Sequence, residues 1–210
     1  MAKLSNYFSF IRDLKLLVFK IKWKKINSNN QTTPGTVFDS KLVKIGNYTY
    51  GKLNVYSFDD DKKLRIGNFC CIGPEVKFLL SGEHDYKKVS SYNFKQRFLN
   101  ENESISKGDI VIEDDVWLGF GSTILSGVTI GQGAVIGAGS IVASDIPPYA
   151  IYAGGKIIKY RFDKKIIELL EKIDYSKIDE KFVKENIESF YGKCNEEKIQ
   201  QILKYKSKWE

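Results

Sequence analysis

From residue 112 onward an aliphatic residue recurs at every sixth position: Ile112, Leu118, Ile124, Ile130, Ile136 and Val142. Two residues before each of the later ones stands a small or β-branched residue, Val116, Ser122, Val128, Ala134 or Ser140. Glycine follows directly at Gly119, Gly131 and Gly137. The same frame occurs earlier as Ile66-Gly67, Ile72-Gly73 and Phe78, with Cys70 in the small position, and more faintly at Ile45-Gly46. A period of six matches neither a lone helix nor a lone strand. It matches a solenoid of short flat strands joined by tight turns, in which each aliphatic side chain points inward and stacks on the one a coil away. Small residues fit the crowded corners, and glycine supplies the positive φ such turns require. Three hexads closing a triangular coil make a mainly β protein, a left-handed parallel β-helix.

The phase breaks once. Phe78 and Ile112 are 34 residues apart, which is not a multiple of six, so residues 79–111 leave the coil and return. Long excursions from a regular scaffold commonly carry function. This one holds Gly82-Glu83-His84-Asp85-Tyr86 and Ser90-Ser91-Tyr92. After Asp145-Ile146-Pro147-Pro148-Tyr149 the hexads stop, since proline ends regular pairing. Three helices are expected beyond, capped by Asp163, Asp179 and Asn195 and placed over an open end of the solenoid. The expected organisation is an N-terminal basic amphipathic helix over residues 1–30, the β-helix domain over 40–161, and a helical appendage over 162–210.

His84 is the single histidine among 210 residues, so one chain cannot supply a multi-imidazole metal site, and any imidazole chemistry must use His84. The three cysteines, two of them adjacent (Cys70, Cys71), make no disulfide framework and no CxxC spacing. Both are read as structural, one in a small inward position and the other in a turn, and the expected setting is reduced and cytoplasmic. No metal is assigned: Asp114-Asp115 reads as a pair of turn residues.

The net charge of +7 invites a nucleic-acid reading, but its distribution argues against one. Residues 1–25 carry seven basic residues against Asp13, which leaves only about one excess positive charge on the rest of the chain. This segment has helical periodicity in Tyr7, Phe10, Ile11, Leu14, Leu17, Val18 and Ile21. Charges interrupt it too often for a signal peptide or a bilayer span. Two readings stay open. The helix lies on an anionic membrane surface, at the inner face of the cell membrane, or it docks its apolar stripe on its own body or a neighbouring subunit.

The hexads, the His84 loop, the segment Asp115-Val116-Trp117-Leu118-Gly119, the Gly137-Ala138-Gly139-Ser140 turn and the Asp-Ile-Pro-Pro-Tyr run together resemble the hexapeptide-repeat O-acetyltransferases. Within them the chain resembles the branch of the virginiamycin and chloramphenicol acetyltransferases, and more closely that branch's relatives in capsule and O-antigen biosynthesis. The resemblance spans roughly residues 40–175. It implies a homotrimer with active sites between subunits and acetyl-CoA as donor. His84 falls on the family's catalytic base. Trp117 falls on the tryptophan of the pantetheine channel. Gly119, Phe120, Ala138, Ala143 and Ser144 fall along the coil edge that touches the pantetheine arm. Lys156, Lys159 and Arg161 fall in the basic stretch that meets the CoA phosphates. Gly154-Gly155 runs straight into Lys156, however, without the Pro-Ala turn the family carries there.

Acetyl transfer to an alcohol needs a base, a donor for the developing oxyanion, and two substrates held together. Imidazole suits the first role. A backbone N–H at a hexad turn, Gly119 or a neighbour, is a candidate for the second. No nucleophile–histidine motif demands a covalent intermediate, so direct transfer in a ternary complex is expected. Glu83, Tyr86 and Tyr92 are the acceptor-side candidates, with Phe94 extending an aromatic wall. The leading expectation is an acetyl-CoA-dependent O-acetyltransferase acting on a sugar hydroxyl in surface-polysaccharide assembly. Its rivals are a xenobiotic acetyltransferase that inactivates an antibiotic, an amino-sugar N-acetyltransferase, and a non-catalytic trimeric scaffold with no channel to His84.

Overall fold

The computed structural model describes residues 2–58 and 61–204, with side chains from residue 10 onward. Helix α1 (Ala2–Ile26) leads into β1 (Gln31–Pro34). The coils follow as β2 (Val43–Ile45), β3 (Tyr50–Tyr56), β4 (Leu64–Ile66), β5 (Cys71–Ile72) and β6 (Lys77–Leu79). Helix α2 (Phe94–Leu99) lies in the excursion. The hexads resume as β7 (Ile110–Ile112), β8 (Trp117–Leu118), β9 (Thr123–Ile124), β10 (Thr129–Ile130), β11 (Val135–Ile136) and β12 (Ile141–Val142). A hairpin of β13 (Ala150–Ala153) and β14 (Lys156–Tyr160) precedes α3 (Lys164–Leu170), α4 (Glu180–Glu185) and α5 (Glu196–Lys204).

The strands stack in parallel on three faces. The first face is β2-β4-β7-β10. The second runs from the start of β3 through β5, β8, β11 and β13 to β14, and the third from the end of β3 through β6 and β9 to β12. Past the excursion, partners on successive coils are eighteen residues apart, as Ile112 with Ile130, Leu118 with Ile136 and Ile124 with Val142. That is three hexads per turn. The pairing of Ile66 with Ile112 carries the same frame across the excursion, which leaves from the corner between the third and first faces. The periodic aliphatic residues are all buried, and each contributes roughly 1.5–3 kcal/mol by leaving water. Cys70 fills a small inward position, where burial pushes its thiol up to about 12. Cys71 is a correction: it sits in strand β5 and not in a turn.

Two further corrections concern the ends. The predicted apolar stripe of α1 does not dock on the chain's own body. Phe10, Leu14, Leu17, Val18 and Ile21 are exposed, while Phe19 and Trp23 on the opposite side pack against Phe38. Trp23 is 1% exposed and donates its indole N–H to Thr32 Oγ1 at 3.0 Å, so the end of α1 is fastened to β1. The Tyr7 side chain lies outside the described residues.

The C-terminal helices have the three predicted caps, with Asp163, Asp179 and Asn195 accepting from the N–H groups of Ile166, Phe182 and Lys198. They do not cover the end of the solenoid. There β14 pairs antiparallel with β13 and occupies the strand edge. The helices run along the corner between the first and second faces. Aromatic residues point outward there: Tyr48 stacks on Phe69 at 4.8 Å, Phe69 meets Tyr175 at 5.9 Å, and Tyr149 meets Phe162 at 6.0 Å. Phe69, Tyr149, Phe162 and Tyr175 join Leu170, Ile173, Phe182, Ile199 and Ile202 in a second apolar cluster, with Tyr48 at its exposed rim. Glu180 N–H donates to Tyr48 Oη, so the tail reaches from the last coil back to the first.

Candidate active site

His84 stands at the root of the excursion. Residue 83 pairs antiparallel with Ile105, so the two ends of the loop form a short ladder beneath it. The His84 ring is exposed, and its Nδ1 lies 2.7 Å from the Ser91 carbonyl. A carbonyl only accepts, so Nδ1 carries the proton and Nε2 keeps its lone pair. The Asn93 amide donates to Nε2 at 3.3 Å and to Gln96 Oε1 at 3.1 Å. Carbonyl and amide thus hold the ring between them, and the imidazole lines a hollow of about 260 Å³. The hollow is walled by Phe58, Gly82, Asn93, Gln96, Arg97 and Ser104.

The loop is held by polar side chains more than by a core. Glu103 accepts from the Lys95 and Gln96 N–H groups at the start of α2 and pairs with Lys88 at 3.3 Å. Burial pushes the Glu103 carboxyl up. The bonds from Gln96, Lys88 and Lys95 outweigh this and hold it below its ordinary value. Neither Asn93 nor Glu103 was among the sequence candidates. Asn93 stands next to the Ser90-Ser91-Tyr92 run, but nothing in a sequence says that its amide folds back on a residue nine positions earlier.

The other expected residues separate into groups. Tyr92 packs edge-on against Phe94 at 4.9 Å, and Phe94 stacks on Phe98 at 6.1 Å. All three are exposed and form an aromatic ridge on the excursion, although none of them walls the hollow. Tyr86 is 82% exposed and lies outside that ridge. Glu83 departs from the acceptor-side expectation: its carboxylate accepts from Ser126 Oγ at 3.0 Å and fastens the loop to the coil.

At the corner between the second and third faces, Phe120 and Ala138 are exposed one coil apart, and Trp117 stands exposed on the second face nearby. The N–H groups of Phe120 and Ala138 meet no acceptor among the described residues, which leaves a short row of free donors. The Gly119 N–H is not free. It donates to Ile136 O at 2.7 Å, and a Cβ there would strike the backbone of the coil above, so Gly119 serves close packing and cannot donate to an oxyanion. Ala143 and Ser144 are exposed on the last coil past β12.

Lys156 and Lys159 are exposed on β14. Arg161 departs from them. Its Nη1 donates to Asp115 Oδ2 at 3.1 Å and to the Gly133 carbonyl at 2.6 Å, and the guanidinium lies over the Tyr149 and Phe162 rings. Its charge is paired within the chain with Asp115. Asp114 likewise accepts from the N–H and the amide of Asn68, and no cluster of metal-binding side chains occurs among the described residues.

The bacterial transferase hexapeptide (six repeats) family model matches residues 109–144. The chain is 37% identical over 153 residues to a chloramphenicol acetyltransferase from Escherichia coli, covering 61% of this chain and 72% of that protein. It is 37% identical over 130 residues to a probable macrolide acetyltransferase from Lysinibacillus sphaericus, covering 57% and 72%. Among solved structures, a galactoside acetyltransferase in complex with coenzyme A superimposes with a TM-score of 0.50 at 29% identity, covering 68% of this chain and 69% of that one. With hexads closing every eighteen residues, a histidine presented by the one excursion, and these relatives, the chain belongs to the left-handed β-helix, hexapeptide-repeat family of acetyl-CoA-dependent O-acetyltransferases.

Proposed function

We propose that this enzyme acetylates a hydroxyl of a small, partly apolar xenobiotic, with His84 as general base in a direct transfer from acetyl-CoA. The observation that carries the reading is the ring itself, with Nδ1 bonded to the Ser91 carbonyl and the imidazole lining the hollow, on the excursion that also carries the exposed Tyr92-Phe94-Phe98 ridge. The acceptor hydroxyl displaces the Asn93 amide from Nε2 and gives up its proton there as its oxygen attacks the thioester carbonyl. The tetrahedral intermediate expels the CoA thiolate, which recovers that proton from the imidazolium. The Ser91 carbonyl holds the ring throughout, and Asn93 returns to Nε2 when the product leaves.

The surface-polysaccharide acceptor expected from sequence has less support than the drug acceptor. The named sequence relatives include chloramphenicol and macrolide acetyltransferases. Exposed aromatic faces also stack on sugars, and the galactoside acetyltransferase likeness keeps a free sugar hydroxyl as the second reading. For the donor, the free N–H groups of Phe120 and Ala138 suit the amide carbonyls of a pantetheine arm, and Trp117, 56% exposed, suits its flank. Lys156 and Lys159 are the cations left for the CoA phosphates. The exposed apolar groups around this corner, Trp117, Phe120 and Ile141, support a homotrimer in which the neighbouring protomer covers part of them.

Thiol release from acetyl-CoA with chloramphenicol, a macrolide and a galactoside as acceptors tests the acceptor class. Turnover confined to the galactoside overturns the xenobiotic reading. His84→Ala is expected to lower kcat by ~10²-fold or more with every acceptor. A variant of near wild-type rate ends the proposed role of this residue.

A further inference from the structure

Helix α1 has two apolar sides, and the fold uses one. At about 100° per residue, Phe19 and Trp23 lie roughly opposite the line of Phe10, Leu14, Leu17 and Ile21, which itself spans only ~60° of the helix circumference. Phe19 and Trp23 pack on the body. The line of Phe10, Leu14, Leu17 and Ile21 faces away from it, about half to two-thirds exposed. Lysines border this line on both sides, Lys25 and, past the exposed Val18, Lys22 along one edge and Lys24 and Lys20 along the other.

Charge decides what such a strip accepts. A second copy of the helix would bring lysine against lysine, and the strip carries one acid, Asp13, which already pairs with Arg12 at 3.6 Å. A surface of negative headgroups over an apolar layer satisfies both parts of the pattern. The four apolar side chains enter the layer, and the lysines bend outward to the phosphates. No helix among the described residues is long and apolar enough to cross a bilayer, so the helix would lie on the surface. We infer that residues 10–25 form a docking strip for an anionic lipid bilayer, which holds the enzyme at the membrane surface.

Co-sedimentation of the full-length protein with phosphatidylglycerol-containing vesicles, beside pure phosphatidylcholine vesicles, tests this. The expected result is pelleting with the anionic vesicles alone, weakened by salt. The double variant Leu14→Glu/Leu17→Glu is expected to bind at least ~10-fold more weakly, and Lys20→Glu/Lys24→Glu similarly, with unchanged acetyl transfer to a soluble acceptor. Light scattering on each variant is expected to give the wild-type mass. Wild-type protein that stays in the supernatant with anionic vesicles overturns the inference. So does a Leu14→Glu/Leu17→Glu variant that loses oligomeric mass, because the strip is then a contact between copies.

Discussion

Two corners of the same prism, built on the same six-residue period, have opposite fates. At the corner between the first and second faces the positive-φ positions are Tyr48, Phe69, Asp115, Gly133 and Tyr149. At the corner between the second and third faces they are Glu75, Gly121 and Gly139. Backbone geometry is alike, and each corner is laddered by the same hydrogen bonds, such as Gly133 N to Asp114 O and Gly139 N to Phe120 O. The side chains differ. The Phe69 and Tyr149 rings at the first corner pack into the apolar cluster of the C-terminal tail, with Tyr48 at its exposed rim. Glu75 and the two glycines at the second corner present no aromatic ring there, so no helix of this chain covers it and the exposed Phe120 and Ala138 remain open within the protomer. Within the protomer, a solenoid corner is covered or left open according to what stands at its left-handed positions.

The contrast can be broken by substitution. The largest effect is expected from Gly133→Ala, where a Cβ would land in the Tyr149 ring at a φ of +68°. Left-handed strain and overpacking together should cost about 3 kcal/mol in chemical denaturation. A loss as small as that of a bare-corner glycine would erase the distinction. Next comes Arg161→Met, which leaves Asp115 without its partner. Burial already raises the Asp115 carboxyl, and Arg161 opposes that rise. About a third of each side chain is still wet, so the expected loss is about 2 kcal/mol, below that of a fully buried pair. The KM for acetyl-CoA should not move; a several-fold rise would restore Arg161 to the phosphate site.

At the open corner, Gly139→Ala meets no atom within 4 Å but keeps a φ of +69°. It should cost about 1 kcal/mol in the same denaturation experiment, from backbone strain alone. The smallest effect belongs to Ser122, whose buried hydroxyl has no partner among the described residues. Ser122→Ala should leave stability unchanged or raise it by at most ~1 kcal/mol, and a clear loss would reveal a hidden partner.

The amino-acid order determined the coil. Inward Ile, Leu and Val at every sixth place, with small residues and glycine at the turns, admit one periodic packing, because the stacking repeats are local and identical. The three helix caps were legible for the same reason, since each is settled within four residues of chain. His84 was legible as the single imidazole on the one excursion. Tertiary structure decided everything that depends on distant partners: that Asn93 and Ser91 hold the ring between them, that Glu83 fastens the loop to Ser126, that Arg161 turns inward to Asp115, and that the tail runs up a corner. Side chains such as Glu83 and Arg161 satisfy their charges with whatever polar group the fold brings within 3 Å, and that neighbour is set by packing in space and not by position along the chain.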